Sequence, residues 1–284
     1  MQLIDGKALA QKIREELKEQ VDSLKVKGIY PKLAVVLVGD NPASKVYVKN
    51  KSKACEKTGI EFEEVILPKE TSEEALRDIV ESLNNREDIN GILVQSPLPR
   101  QINENTIFSL INPEKDVDGF NPVNVGKLCI GEDAFVSCTP FGVIKMLEAY
   151  DIETEGKKAT ILGRSNIVGK PMIQCMLKKN ATVTVCHSKT QNIGEILRDS
   201  DIIISAIGKP KFVKEEMVKD GAVVIDVGIN RLDDGSIVGD VDFENVSKKV
   251  SYITPVPGGV GPMTIAMLLS NVVKATKLQN GVRG

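Results

Sequence analysis

The chain has no tryptophan and one histidine, His187, in 284 residues. A single imidazole cannot build a two-histidine metal site, and an Asp-His-Ser relay would have to run through that one residue. The five cysteines, Cys55, Cys129, Cys138, Cys175 and Cys186, are odd in number and scattered, and none has the close spacing of a zinc knuckle or a redox pair. Such scatter fits buried thiols in a reducing compartment. No apolar run reaches the ~18 residues of a membrane span. The opening M-Q-L-I-D-G-K-A-L-A-Q-K-I-R-E-E-L is charged and helical in pattern, without the apolar core of a signal peptide and too acidic for a transit peptide. Neither sign of charge dominates: 37 basic and 39 acidic residues leave a net charge of -2, so nothing points to nucleic acid, although a phosphate would need only a few clustered cations. The expectation is a cytoplasmic protein with no metal, no nucleic acid and no membrane. Its redox or acid–base chemistry would need a lysine, a carboxylate or a borrowed cofactor.

Hydrophobic residues make up 42% of the chain, too many for disorder and enough for buried cores. In the first half Leu9, Ile13, Leu17, Val21 and Leu24 recur at helical spacing over 7–25. The run L-A-V-V-L-V at 33–38 reads as a buried parallel strand. A helix over 43–58 ending at Gly59, a strand at 61–67, a helix at 72–84 opened by Thr71 or Ser72, and a strand at 89–95 follow. Residues 112–142, rich in Pro, Gly, Asn and Asp, read as a functional loop or a domain junction, with a helix over 141–150. The pattern then restarts with strands at 158–162, 182–186, 201–205 and 222–227 and a last helix over 262–277. This alternation predicts an α/β fold with parallel sheets and right-handed crossovers.

Ser44, Tyr47 and Lys51 in S-K-V-Y-V-K-N-K stand three and four residues apart. On a helix that spacing puts a hydroxyl, a phenol and an amine on one face, at the carboxyl edge of a strand where open α/β sheets bind ligands. An amine of lowered pKa beside an aromatic platform can do acid–base chemistry on a bound ring, and a solvated amphipathic helix accounts for the same pattern. In the second half G-R-S-N-I-V-G-K-P places Gly163 and Gly169 between a strand and a helix, a turn that suits a phosphate or is simply tight. Arg164 lies inside it. The next strand ends in Cys186-His187-Ser188-Lys189, where an NAD site usually places an acid for the ribose hydroxyls. These residues look like partners for a 2′-phosphate and favour NADP. Gly208 and Gly228 end the later strands, where backbone could lie close to a cofactor or merely turn.

Six motifs, S-K-V-Y-V-K-N-K, V-Q-S-P-L-P, K-D-V-D-G-F-N-P, C-T-P-F-G, G-R-S-N-I-V-G-K-P and Y-I-T-P-V-P-G-G-V-G-P-M-T, occur in this order over nearly the whole chain. Together they resemble the bifunctional methylenetetrahydrofolate dehydrogenase/cyclohydrolase family. The resemblance implies an N-terminal three-layer α/β folate domain over 1–140, completed by a C-terminal helix at 262–284. It also implies a Rossmann-type NADP domain over 141–261, a cleft between the two, and a homodimer. The implied reactions are oxidation of methylenetetrahydrofolate with NADP and hydrolysis of the methenyl product. A monofunctional, NAD-linked dehydrogenase is the alternative.

By resemblance, Lys51 is the main catalytic residue, Gln95 tunes it, Tyr47 stacks on the folate ring and Asp118 binds the pterin's donor nitrogens. Ser44 supports that helix or caps it, and Pro257, Gly258 and Gly259 line the site near the folate. The cofactor contacts carried over are Thr139, Gly163, Arg164, Ser165, Ser188, Ile229 and Thr264. Ser96 stands where many members carry Leu, which removes apolar contact near the folate.

Overall fold

The computed structural model describes residues 1–282. The chain runs through β1 (Gln2–Leu3), α1 (Gly6–Val26), β2 (Lys32–Val38), α2 (Pro42–Thr58), β3 (Glu61–Leu67), α3 (Glu73–Asn84) and β4 (Gly91–Val94). Then come α4 (Glu104–Leu110), α5 (Pro122–Cys129), α6 (Cys138–Ala149), β5 (Lys158–Leu162), α7 (Gly169–Lys178), β6 (Thr182–Cys186) and α8 (Ile193–Arg198). The last elements are β7 (Ile202–Ser205), β8 (Val223–Asp226), β9 (Asn230–Arg231), β10 (Ile237–Val238), α9 (Phe243–Val246), β11 (Tyr252–Ile253) and α10 (Val260–Gln279). Among the described residues no helix is long and apolar enough to cross a membrane.

Two compact units divide the chain: Lys12–Val136 with Ile265–Gly284, and Met1–Gln11 with Ser137–Thr264. The first holds a parallel sheet in the order β3-β2-β4. Leu76, Val80 and Leu83 of α3 recur every three or four residues and bury one helical stripe with Ala34, Val36 and Val38 of the sheet. Burying each such side chain contributes roughly 1.5–3 kcal/mol. A Cβ at Gly91 would lie 2.7 Å from Val117 and 3.3 Å from Val272, so β4 starts with the one residue that admits both.

The second unit carries a six-stranded sheet, β1-β11-β8-β7-β5-β6, whose pairs are all parallel. Its first strand comes from the far N-terminus. Gln2 pairs with Tyr252 and Leu3 with Ile253, which draws Met1–Gln11 away from the domain expected to span 1–140. The break falls at Ser137. The stretch expected to be aperiodic contains α5, a helix of 8 residues with Pro122 in its first turn and Asn121 accepting the Val123 amide as its cap.

Candidate active site

The sequence-predicted residues fall into two groups, one in each unit. In the first, Asn41 caps α2 by accepting the amides of Ala43 and Ser44 at 3.0 and 3.1 Å, with Pro42 following. The cap is therefore Asn41, and Ser44 is buried in the first turn. Tyr47, one turn on, is 47% exposed, which leaves its ring open to a partner. Lys51 is half-buried, and its Nζ donates to Gln95 Oε1 at 2.9 Å. Gln95 Nε2 donates to the Ser96 carbonyl at 2.6 Å, which turns the amide oxygen toward the lysine. The backbone of Ser96 makes that bond, so the exchange of Leu for Ser leaves it in place. Gln95 follows β4, and β2 has β4 on one side and β3 on the other. Lys51 and Gln95 thus meet at the carboxyl edge of the sheet, where the strand order reverses. Cys55 lies one turn beyond Lys51. Burial pushes its thiol up to about 12, against the pull of the Lys51 charge, and such a thiol is inert at neutral pH.

Asp118 sits half-buried on a loop clamped from both sides. Before it, the buried Asp116 carboxylate accepts the amides of Gly119 (3.1 Å), Phe120 (3.2 Å) and Asn121 (2.8 Å) and the side chain of Asn124 (2.8 Å). Burial raises the Asp116 pKa, and these bonds oppose the rise. The Val117 carbonyl accepts Asn271 Nδ2 at 2.8 Å. Lys115, 8% exposed, donates to the carbonyls of Asn84 and Arg86 at 2.8 and 2.6 Å, closing the end of α3. Burial lowers its pKa. Sequence reasoning missed Lys115 and Asp116. The one available signal was K-D-V-D-G-F-N, a second acid three residues ahead of the Gly in a turn-rich stretch.

In the second unit β6, β5 and β7 reverse strand order, and a cavity of ≈ 260 Å³ opens at their ends. Gly163, Arg164, His187, Ser188, Lys209 and Phe212 line it. A Cβ on Gly163 would overlap the Ala206 carbonyl, and one on Gly169 the Gly163 carbonyl. The two glycines therefore close the turn against β7 and α7. Ser165 Oγ accepts the amides of Val168 and Gly169 at 3.2 and 3.3 Å. His187 Nδ1 accepts the Lys189 amide at 3.2 Å. Lys209, whose Nζ stands 5.8 Å from the Phe212 ring centre, was missed; its signal was G-K-P in the turn after β7. Apolar walls with Arg164, His187, Ser188 and Lys209 at the rim suit an adenosine carrying an extra phosphate. The hydroxyls of Thr139 and Thr264 lie 3.2 Å apart, and Ile229 is 53% exposed. The Gly258 carbonyl accepts the Lys7 amide at 2.9 Å, and Gly6 lies so close to the Gly259 carbonyl that a Cβ would overlap it. Pro257 is exposed.

Asp226, at the end of β8, is 3% exposed, and burial beside Asp240 pushes its carboxyl up to about 6. The folded state then holds this proton more tightly than the unfolded chain. The stability it adds is full below about pH 4 and is lost as pH rises through about 6, a loss of about 3 kcal/mol. Wild type should gain on Asp226→Asn in denaturant-measured stability between pH 7 and 4.5. A pH-independent difference would contradict this.

The sequence model of the tetrahydrofolate dehydrogenase/cyclohydrolase catalytic domain matches residues 4–118, and that of the NAD(P)-binding domain matches 137–280. The chain belongs to the tetrahydrofolate dehydrogenase/cyclohydrolase family. The six motifs pointed to the same family. Bifunctional protein FolD of Campylobacter hominis is 59% identical over 277 residues, 98% of each chain. The crystal structure of the bifunctional enzyme FolD, methylenetetrahydrofolate dehydrogenase/cyclohydrolase, from Campylobacter jejuni superposes with a TM-score of 0.97 at 55% identity, covering 98% of this chain and 99% of that one. The Trypanosoma brucei methylenetetrahydrofolate dehydrogenase-cyclohydrolase, complexed with NADP cofactor and inhibitor, gives 0.94 at 41%, covering 100% and 99%. The catalytic-domain match covers Lys51, Gln95 and Asp118, and the NAD(P)-domain match covers the cavity at Arg164 and Ser188.

Proposed function

We propose that this chain oxidises 5,10-methylenetetrahydrofolate to the methenyl compound with NADP and then hydrolyses that compound to 10-formyltetrahydrofolate. The observation that carries the reading is the 2.9 Å hydrogen bond from Lys51 to Gln95, with Tyr47 exposed one turn away on the same helix. Water must add to the electrophilic methenyl carbon, and protons must leave and rejoin the adduct as one carbon–nitrogen bond opens. Lys51 moves those protons, and Gln95 fixes the position of its Nζ. Tyr47 stacks on the ring system, Asp118 accepts the pterin N–H groups, Ser44 supports the helix that carries Tyr47 and Lys51, and Pro257, Gly258 and Gly259 are carried over by resemblance as folate contacts. NADP, when bound, supplies the hydride acceptor for the first step. Thr139, Gly163, Arg164, Ser165, Ser188, Ile229 and Thr264 hold it in place. By resemblance the enzyme is a cytoplasmic homodimer.

A cationic rim at Arg164 favours NADP over NAD. Dehydrogenase rates with each cofactor test this. Arg164→Ala should raise the KM for NADP by about 10–100-fold and leave that for NAD nearly unchanged, since one charge-assisted pair to a phosphate is lost. A wild-type preference for NAD would turn the reading toward the monofunctional, NAD-linked dehydrogenase.

A further inference from the structure

We propose that Asp240 is a positioning residue of the cofactor site: its buried carboxylate gathers the backbone that walls the cavity beside Arg164 and Ser188, without touching the ligand. The inference rests on the reading of that cavity as the NADP site. Asp240 is fully buried. Its Oδ2 accepts the amides of Ile207 at 2.8 Å and Gly208 at 3.2 Å and the Ser205 hydroxyl at 3.2 Å. Its Oδ1 accepts the Lys209 amide at 2.9 Å and Asn230 Nδ2 at 3.0 Å. Three consecutive amides of the turn after β7 thus converge on one carboxylate, and Gly208 takes the left-handed conformation (φ 63) within that turn. Ile207 and Lys209 line the cavity, and Asn230 adjoins Ile229. One side chain therefore ties together the two loops that carry Lys209 and Ile229.

The anchor is itself anchored. Asp226 Oδ1 accepts the Asp240 and Gly228 amides at 2.9 and 3.0 Å, and its Oδ2 accepts the Val241 amide at 2.9 Å. Cβ atoms at Gly228 and Gly239 would overlap Asp240 and Asp226 respectively, so the two loops close tightly around the carboxylates. Only an acceptor on both oxygens satisfies this set. An amide at 240 keeps one acceptor oxygen and turns two N–H donors toward donors, which drives one loop off.

The test is Asp240→Asn, read by calorimetric binding of adenosine 2′,5′-bisphosphate and by steady-state kinetics. The variant should bind the bisphosphate about tenfold or more weakly and show a KM for NADP raised by a similar factor. Its KM for methylenetetrahydrofolate and its hydrolysis of methenyltetrahydrofolate, which needs no NADP, should stay within about twofold of wild type. A purely structural role would instead lower both activities together with Tm. Wild-type affinity for the bisphosphate in the variant would overturn the proposal and leave the NADP site standing. Failure of wild type to bind it would remove the site itself. Amide exchange on the unaltered protein gives a second reading: the Ile207–Lys209 amides should exchange slowly although they lie outside any strand, and exchange at the free-loop rate would contradict the anchor.

Discussion

Lys51→Ala is expected to slow hydrolysis of methenyltetrahydrofolate by about 10²–10⁴-fold, the range a positioned proton-transfer group supplies. The substitution should spare NADP binding, because Lys51 and the cofactor cavity belong to different units. Stability should change little: Lys51 is half-buried at the surface of α2, and the helix keeps its Asn41 cap and its Gly59 terminus. The donor site matters as much as the charge. Gln95 is oriented by its own bond to the Ser96 carbonyl, so it offers an oxygen at one fixed point. Decay of the methenyl absorbance, with cofactor titration on the same sample, measures both effects. Hydrolysis at the wild-type rate would remove Lys51 from the role given to it.

Asp116→Ala should cost about 3–5 kcal/mol of stability and raise the KM for folate. Two physical effects compete at this carboxylate. Burial makes its charge costly, as the direction of its pKa shows. Against this, four donors converge on it, three of them consecutive backbone amides of the loop that bears Asp118. Alanine would remove the acceptor and leave those donors facing a small hole, so orphaned donors outweigh the relief of desolvation. Asp116→Asn keeps one acceptor oxygen and should fall between alanine and wild type. Denaturant unfolding and folate kinetics on both variants check the ordering. Equal stability of all three proteins would show that the loop is held without this carboxylate, by contacts such as that of Val117 with Asn271.

The strands read from sequence include both buried ones and the partly exposed edge strands β3 and β6. L-A-V-V-L-V and K-A-T-I-L lie in the interior of parallel sheets, and their apolar runs end where the strands end. Helix α3 was legible for a similar reason: its apolar stripe and the Ser72 cap are both local features. The pairing of β1 with β11 was not legible, since two-residue strands joined across the length of the chain leave no periodic trace. Helices α4 and α5 escaped because their caps are Asn103 and Asn121, in segments whose Asn and Pro content reads as loop.

The site divides in the same way. The spacing of Ser44, Tyr47 and Lys51 put them on one helix, but the capping role weighed for Ser44 belongs to Asn41. Gly163 and Gly169 were recognised as necessary. Close approach to neighbouring backbone requires glycine at both, in keeping with a turn that suits a phosphate or is simply tight. Asp116, Asp226 and Asp240 were invisible as a class. Each is a buried acceptor for backbone amides, and a sequence shows only an acidic residue in a loop.

The central claim is that one chain performs both steps. An absorbance assay of the purified protein with methylenetetrahydrofolate and NADP, following the reduced cofactor and the methenyl compound together, tests it directly. The account predicts steady NADPH formation with little methenyl build-up, and a lasting methenyl signal in Lys51→Ala. NADPH formation accompanied by equal, persistent methenyl accumulation in the wild type would contradict it.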